Sequence, residues 1–127
     1  MKSRFRPDLY LVTDRALSMG REVRDIVSAA VRGGVTMVQL REKDLTRDQF
    51  INEAIKVKGI LADTGVPLII NDDVEVALAV DADGVHLGRD DMPCSEARKL
   101  LGDDRIIGLS VESVRDAEKA EELEADY

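Results

Sequence analysis

The stretch LIINDDVEVALAVDADGVHL, residues Leu68–Leu87, carries a strand, a helix and a second strand. Leu68–Ile70 is a short apolar run that breaks into Asn71-Asp72-Asp73. Val74, Ala77 and Leu78 then recur at helical spacing, and Asp83-Gly84 precedes a second short run, Val85–Leu87, interrupted only by His86. Short apolar runs bounded by turn residues read as strands buried on both faces, and two joined through a helix lie parallel.

The same alternation extends in both directions. Towards the N-terminus lie the run Leu9–Val12 and a helix marked by Val23, Ile26, Val27, Ala30 and Val31, stopped at Gly33-Gly34. The run Val35–Leu40 follows, then a helix marked by Phe50, Ala54, Val57 and Leu61 that closes near Gly65 and Pro67. Towards the C-terminus come a helix with Ala97, Leu100 and Leu101, the run Ile106–Leu109, and a helix over Val114–Leu123. Ala125-Asp126-Tyr127 reads as the opening of a sixth strand. Regular strand-helix alternation predicts an α/β chain with a parallel sheet and right-handed crossovers. Two architectures fit: an open doubly wound sheet, or part of a (β/α)₈ barrel.

Composition agrees. Of the 127 residues 44% are apolar and only 3% aromatic, so the core is built from Val, Ile, Leu and Ala. A net charge of −8 argues against a nucleic-acid binder but not against a phosphate ligand held by a few placed cations. Cys94 is the only cysteine, which fits a reducing compartment. Met1–Tyr10 has no apolar stretch long enough for a secretory signal, and no run is long enough to span a membrane. The expectation is a cytoplasmic protein.

Polar residues collect where the strands end: Thr13-Asp14, Arg41-Glu42-Lys43-Asp44, Asn71-Asp72-Asp73, Gly88-Arg89-Asp90-Asp91 and Ser110. In parallel α/β folds ligand chemistry sits at these carboxyl ends. One such cluster alone is more often a solvated turn or a helix cap; five in succession point to a site. Arg41 and Lys43, two apart on an extended chain, face the same way and suit a diphosphate, Arg as a fork and Lys as a point charge. Asp72 and Asp91 follow different strands and suit a shared hard cation, Mg²⁺ rather than zinc. Capping of the helix after Asp73 is the competing use of the first aspartate pair. His86 reads first as a lining imidazole. No arrangement suited to nucleophilic catalysis, dinucleotide fingerprint or Walker loop occurs.

Four segments together resemble the thiamine-phosphate synthase family: Val38-Gln39-Leu40-Arg41-Glu42-Lys43, Ile69-Ile70-Asn71-Asp72, Asp83 through Asp91, and Ile107-Gly108-Leu109-Ser110. The similarity runs from Leu9 to Tyr127. It implies a TIM-barrel transferase of thiamine biosynthesis, which joins an aminopyrimidine diphosphate to a thiazole phosphate with Mg²⁺ as cofactor. It assigns Gln39, Leu40, Arg41, Glu42, Lys43, Asn71 and Ser110 to the pyrimidine diphosphate, and Asp72 and Asp91 to the metal. The implied reaction is dissociative: diphosphate leaves, a pyrimidine-methyl cation forms, and the thiazole nitrogen captures it. Retention of Arg41, Lys43, Asn71, Asp72 and Asp91 favours the synthase over the related thiazole tautomerases.

A full barrel of this type needs about 250 residues. The expectation is therefore one partial TIM-barrel domain, residues 1–127, truncated at its C-terminus as strand six begins. It would have five βα units and the donor half of the site, without the thiazole-phosphate half. Five strands alone leave an inward face and two sheet edges uncovered, and self-association is one way to cover them. The alternative function is a half-barrel that binds diphosphate and Mg²⁺ but does not turn over on its own.

Overall fold

The computed structural model describes residues 5–127; the first four residues of the segment read as lacking a signal lie outside it. Five strands alternate with five helices: β1 Tyr10–Val12, α1 Val23–Arg32, β2 Met37–Leu40, α2 Arg47–Leu61, β3 Leu68–Asn71, α3 Val74–Val80, β4 Gly84–Leu87, α4 Cys94–Leu101, β5 Ile106–Leu109 and α5 Val114–Glu122. The strands are all parallel, in the order β1-β2-β3-β4-β5. Each new strand joins beside the last, as in a barrel, and the sheet does not close on itself among the described residues. The open doubly wound alternative, in which strand order reverses, is not what forms.

Strand periodicity sorts the side chains into two layers. Val38, Leu40, Leu68, Ile70, Val85, Leu87 and Ile107 face the helices and join Val27, Ala54, Val57, Val76 and Ala97 in the main core. Each large aliphatic side chain buried there contributes about 1.5–3 kcal/mol. Met37, Ile69 and Ile106 face the other way and are fully buried, covered by Phe5, Tyr10 and Tyr127. The inward face is thus less open than the strand count suggests, because three aromatic rings lie across its lower layer.

Helix ends match their sequence signals. Thr46 and Gln49 form a reciprocal capping box at α2, and Asp73 and Ser113 cap α3 and α5. Gly34 takes φ 102°, which closes the turn after α1. The second strand starts at Met37 rather than Val35, because Val35 N still bonds back to Ala30 O of the helix. After α5, Asp126 N donates to Ile107 O at 2.7 Å and Leu109 N to Tyr127 O at 3.0 Å. Residues 126 and 127 therefore lie along β5 where a sixth strand would.

Candidate functional site

Hydrogen bonds between neighbouring strands fix the chain as it leaves β2. Thr13 N donates to Gln39 O at 3.0 Å, and Thr13 Oγ1 accepts from Arg41 N at 2.9 Å. Arg41 Nη1 lies 3.4 Å from Asp14 Oδ2, leaving much of its guanidinium open. Lys43 reaches across to pair with Asp72.

Asp72 stands at φ 65°, a left-handed conformation that Asp adopts more readily than most residues. Its N–H donates to His86 O at 2.8 Å. This turn divides the work of two adjacent aspartates. Asp73 Oδ1 accepts from Val76 N at 3.0 Å and caps the helix, while Asp72 turns to Lys43 and Asp91. Asp91 is held by Gly88 N, which donates to its Oδ2 at 2.6 Å.

The Asp72 and Asp91 carboxyls lie side by side and act on each other's ionisation. Burial and the Asp72 contact hold Asp91 above the usual carboxylate range, against the Gly88 N–H. Burial also acts on Asp72, but bonds with Asp91 and Lys43 and the charges of Lys43 and Arg41 outweigh it and hold Asp72 low. The two acids therefore press on each other's ionisation at a point where a cation would relieve them both.

The inward face carries the neutral groups. Gln39 and Asn71 are buried, with Asn71 Nδ2 donating to Gln39 Oε1 at 2.7 Å. Ser110, exposed at the rim after β5, has its Oγ 2.9 Å from His86 Nε2. A cleft of about 460 Å³ opens beside Asp91 and Ser110, floored by Leu87, Met92 and Leu109. The structure thus gathers Arg41, Lys43, Asp72 and Asp91 at one rim, and Gln39, Asn71 and Ser110 on the adjoining inward face. Leu40 and Glu42 point the other way: Leu40 lies in the helix-facing core, and the Glu42 side chain is 1% exposed.

Glu42 is the conspicuous cost of the segment. Arg15 Nε donates to its Oε2 at 3.2 Å, while Oε1 has no partner among the described residues. Burial pushes its carboxyl up, opposed by Arg15 and reinforced by Glu53 and Asp14. A folded-state pKa above the unfolded one makes the ionised group unfavourable to folding at neutral pH, and this penalty vanishes as pH falls through the raised value. Glu42→Gln is therefore expected to melt above the parent at pH 7, with the gap narrowing as pH falls. Melting curves from pH 7 to pH 4 check it, and a gap constant with pH would contradict it.

Sequence reasoning did not single out Tyr10, Tyr127 or Arg15, and read His86 first as a lining imidazole. The available signal was the two-residue period, which puts Tyr10, Gln39, Asn71 and His86 on one face of consecutive strands.

Comparison with known proteins identifies the family and the fold. Residues 9–127 match the family described as Thiamine monophosphate synthase (TMP-TENI). The thiamine-phosphate synthase of Clostridium novyi is 49% identical over 119 residues, covering 94% of this chain and 58% of that protein. The Vibrio campbellii thiamine-phosphate synthase is 55% identical over 119 residues, with the same 94% and 58% coverage. A solved thiamine phosphate pyrophosphorylase from Pyrococcus furiosus superposes with a TM-score of 0.87 at 36% identity, covering 95% of this chain and 58% of that one. The chain spans somewhat more than half the length of the relatives it matches.

Proposed function

Because the chain belongs to the thiamine monophosphate synthase family, we propose that it carries the donor half of a Mg²⁺-dependent thiamine-phosphate synthase, a cytoplasmic transferase. Its substrates would be an aminopyrimidine diphosphate and a thiazole phosphate. The observation that carries this reading is the convergence of Lys43, Asp72 and Asp91, with Arg41 beside them, from three separate strand ends.

Among the described residues no group of three or more His, Cys, Asp or Glu could hold a metal. Two carboxylates are nevertheless what Mg²⁺ commonly takes from a protein, the rest of its shell being water and substrate phosphate. Asp72 and Asp91 fit it: their oxygens are hard ligands, brought side by side from the ends of two different strands. Mg²⁺ held there would neutralise charge that builds on the departing diphosphate.

The residues of the chain do the rest by placement. Arg41 and Lys43 bring positive charge to the leaving group. Gln39, Asn71 and Ser110 orient the pyrimidine end from the inward face. With no general base assigned, stabilisation of separating charge is the catalytic task, which suits a dissociative transfer. No helix among the described residues is long and apolar enough to cross a membrane.

Calorimetry with the aminopyrimidine diphosphate, with and without Mg²⁺, tests the donor site, and turnover with thiazole phosphate tests the complete reaction. Metal-independent binding, or none, would overturn the proposal. Arg41→Lys is expected to weaken diphosphate affinity about tenfold, since Lys keeps the charge but loses the fork. Unchanged affinity would remove Arg41 from the phosphate site.

A further inference from the structure

Six side chains on the inward face join end to end between Asn71 and Ser110. Asn71 Nδ2 donates to Gln39 Oε1 at 2.7 Å, and Gln39 Nε2 donates to the Tyr10 hydroxyl at 3.0 Å. The Tyr10 and Tyr127 hydroxyls are hydrogen-bonded to each other. The Tyr127 hydroxyl lies 3.2 Å from His86 Nδ1, and His86 Nε2 lies 2.9 Å from Ser110 Oγ.

The directions of these bonds are not independent, because each phenol has one proton and a neutral imidazole one N–H. Tyr10 accepts from Gln39, so its own proton goes to Tyr127. Tyr127 then donates to His86 Nδ1. An accepting Nδ1 places the imidazole proton on Nε2, which donates to Ser110 Oγ. Ser110's hydroxyl proton is left over and points out of the chain of bonds. At the far end Asn71 has spent an N–H inward and keeps its carbonyl oxygen for use elsewhere.

We propose that Tyr10, Tyr127 and His86 are positioning residues that lock His86 as the Nε2–H tautomer, so that Ser110 meets the ligand as a hydrogen-bond donor and Asn71 as an acceptor. The complementary ligand is an aminated nitrogen heterocycle, which carries an N–H donor and acceptor atoms together. This rests on the proposed function in taking Ser110 and Asn71 as ligand contacts.

The surroundings fit that role. The His86 ring is half-buried, with Tyr127 Oη 3.2 Å from one ring nitrogen and Ser110 Oγ 2.9 Å from the other, so each nitrogen has one partner. Burial, the largest cause, pushes the Tyr127 phenol far up, so it keeps its proton. Tyr127 is fixed from both sides. Its main chain bonds to β5, and its ring lies over Gly108, where an added Cβ would fall 2.2 Å from Cζ. Only glycine at 108 leaves room for the ring.

His86 is the only histidine in the chain, so its side-chain ¹⁵N signals need no further assignment. In the full chain at neutral pH, without ligand, a two-bond ¹H–¹⁵N spectrum is expected to show the Nε2–H pattern. Tyr127→Phe, which keeps the ring, is expected to mix the tautomers and to weaken aminopyrimidine diphosphate binding about tenfold. Combined with Ser110→Ala it should cost little more than Ser110→Ala alone, because both act through one hydroxyl. An Nδ1–H pattern in the parent overturns the proposal, since the bonds would run the other way and consume Ser110's proton. An unmoved tautomer in Tyr127→Phe, or losses that add fully in the double variant, also overturn it. A locked tautomer with ligand affinity indifferent to Ser110→Ala would instead overturn the assignment of Ser110 to the substrate.

Discussion

Gly84→Ala is expected to lower the melting temperature by on the order of 10 °C. Gly84 opens β4 between Ile69 of β3 and Ile106 of β5. A Cβ built there would lie 2.1 Å from Ile106 O and 2.7 Å from Ile106 Cβ. A flexible side chain would swing away from such a contact, but a strand carbonyl cannot without giving up its place in the sheet. Overpacking typically costs about 1–3 kcal/mol, and a backbone obstacle puts this variant at the upper end. Gly59 supplies the control. It lies within α2 with nothing within 4 Å of its added Cβ, so Gly59→Ala should stabilise by about 0.5–1 kcal/mol. Circular-dichroism melts of the two variants should therefore move in opposite directions. A Gly84→Ala melt within a few degrees of the parent would mean β4 and β5 are not packed as described.

Gly84 also shows how far sequence reading goes. Asp83-Gly84 reads as a turn, because Gly and Asp punctuate chains; in the fold, Gly84 is the first residue of a strand and is there for lack of a side chain. The Asp83 carboxylate accepts from Leu68 N at 2.7 Å on the neighbouring strand. The alternation of apolar runs was legible because burial of a parallel sheet on both faces leaves a mark in every strand. The strand ends were legible for the same reason, since polarity begins where burial stops. Partners across the fold were not. Nothing in the spacing says that Asp73 rather than Asp72 caps α3, because that depends on one left-handed residue. Nor does it say that Glu42 turns to the helix-facing side and meets Arg15, or that Tyr127 comes back over Gly108 to His86. Periodicity assigns a face to a side chain, whereas a hydrogen bond depends on elements brought together from 27 or 41 residues away.

Asp72→Asn and Asp91→Asn are each expected to weaken aminopyrimidine diphosphate binding in the presence of Mg²⁺ on the order of a hundredfold. Asn is the informative replacement at both positions. It tolerates the left-handed backbone at 72, and at 91 its carbonyl oxygen can still accept from Gly88 N. The fold and local hydrogen bonds should therefore survive, and the lost quantity is a charge. The same change without Mg²⁺ should act in the opposite direction. There the Asp72–Asp91 pair opposes an incoming diphosphate, and Asp72→Asn also releases the Lys43 ammonium from its ion pair. Each variant should then bind the diphosphate at least as well as the parent. Calorimetric titrations at matched ionic strength, with Mg²⁺ and with chelator, separate the two effects, and the crossing of sign is the diagnostic result. A general loss of structure would weaken binding in both conditions. A purely repulsive role would strengthen it in both. Only carboxylates that hold a cation against the phosphates weaken binding when Mg²⁺ is present and spare it when Mg²⁺ is removed.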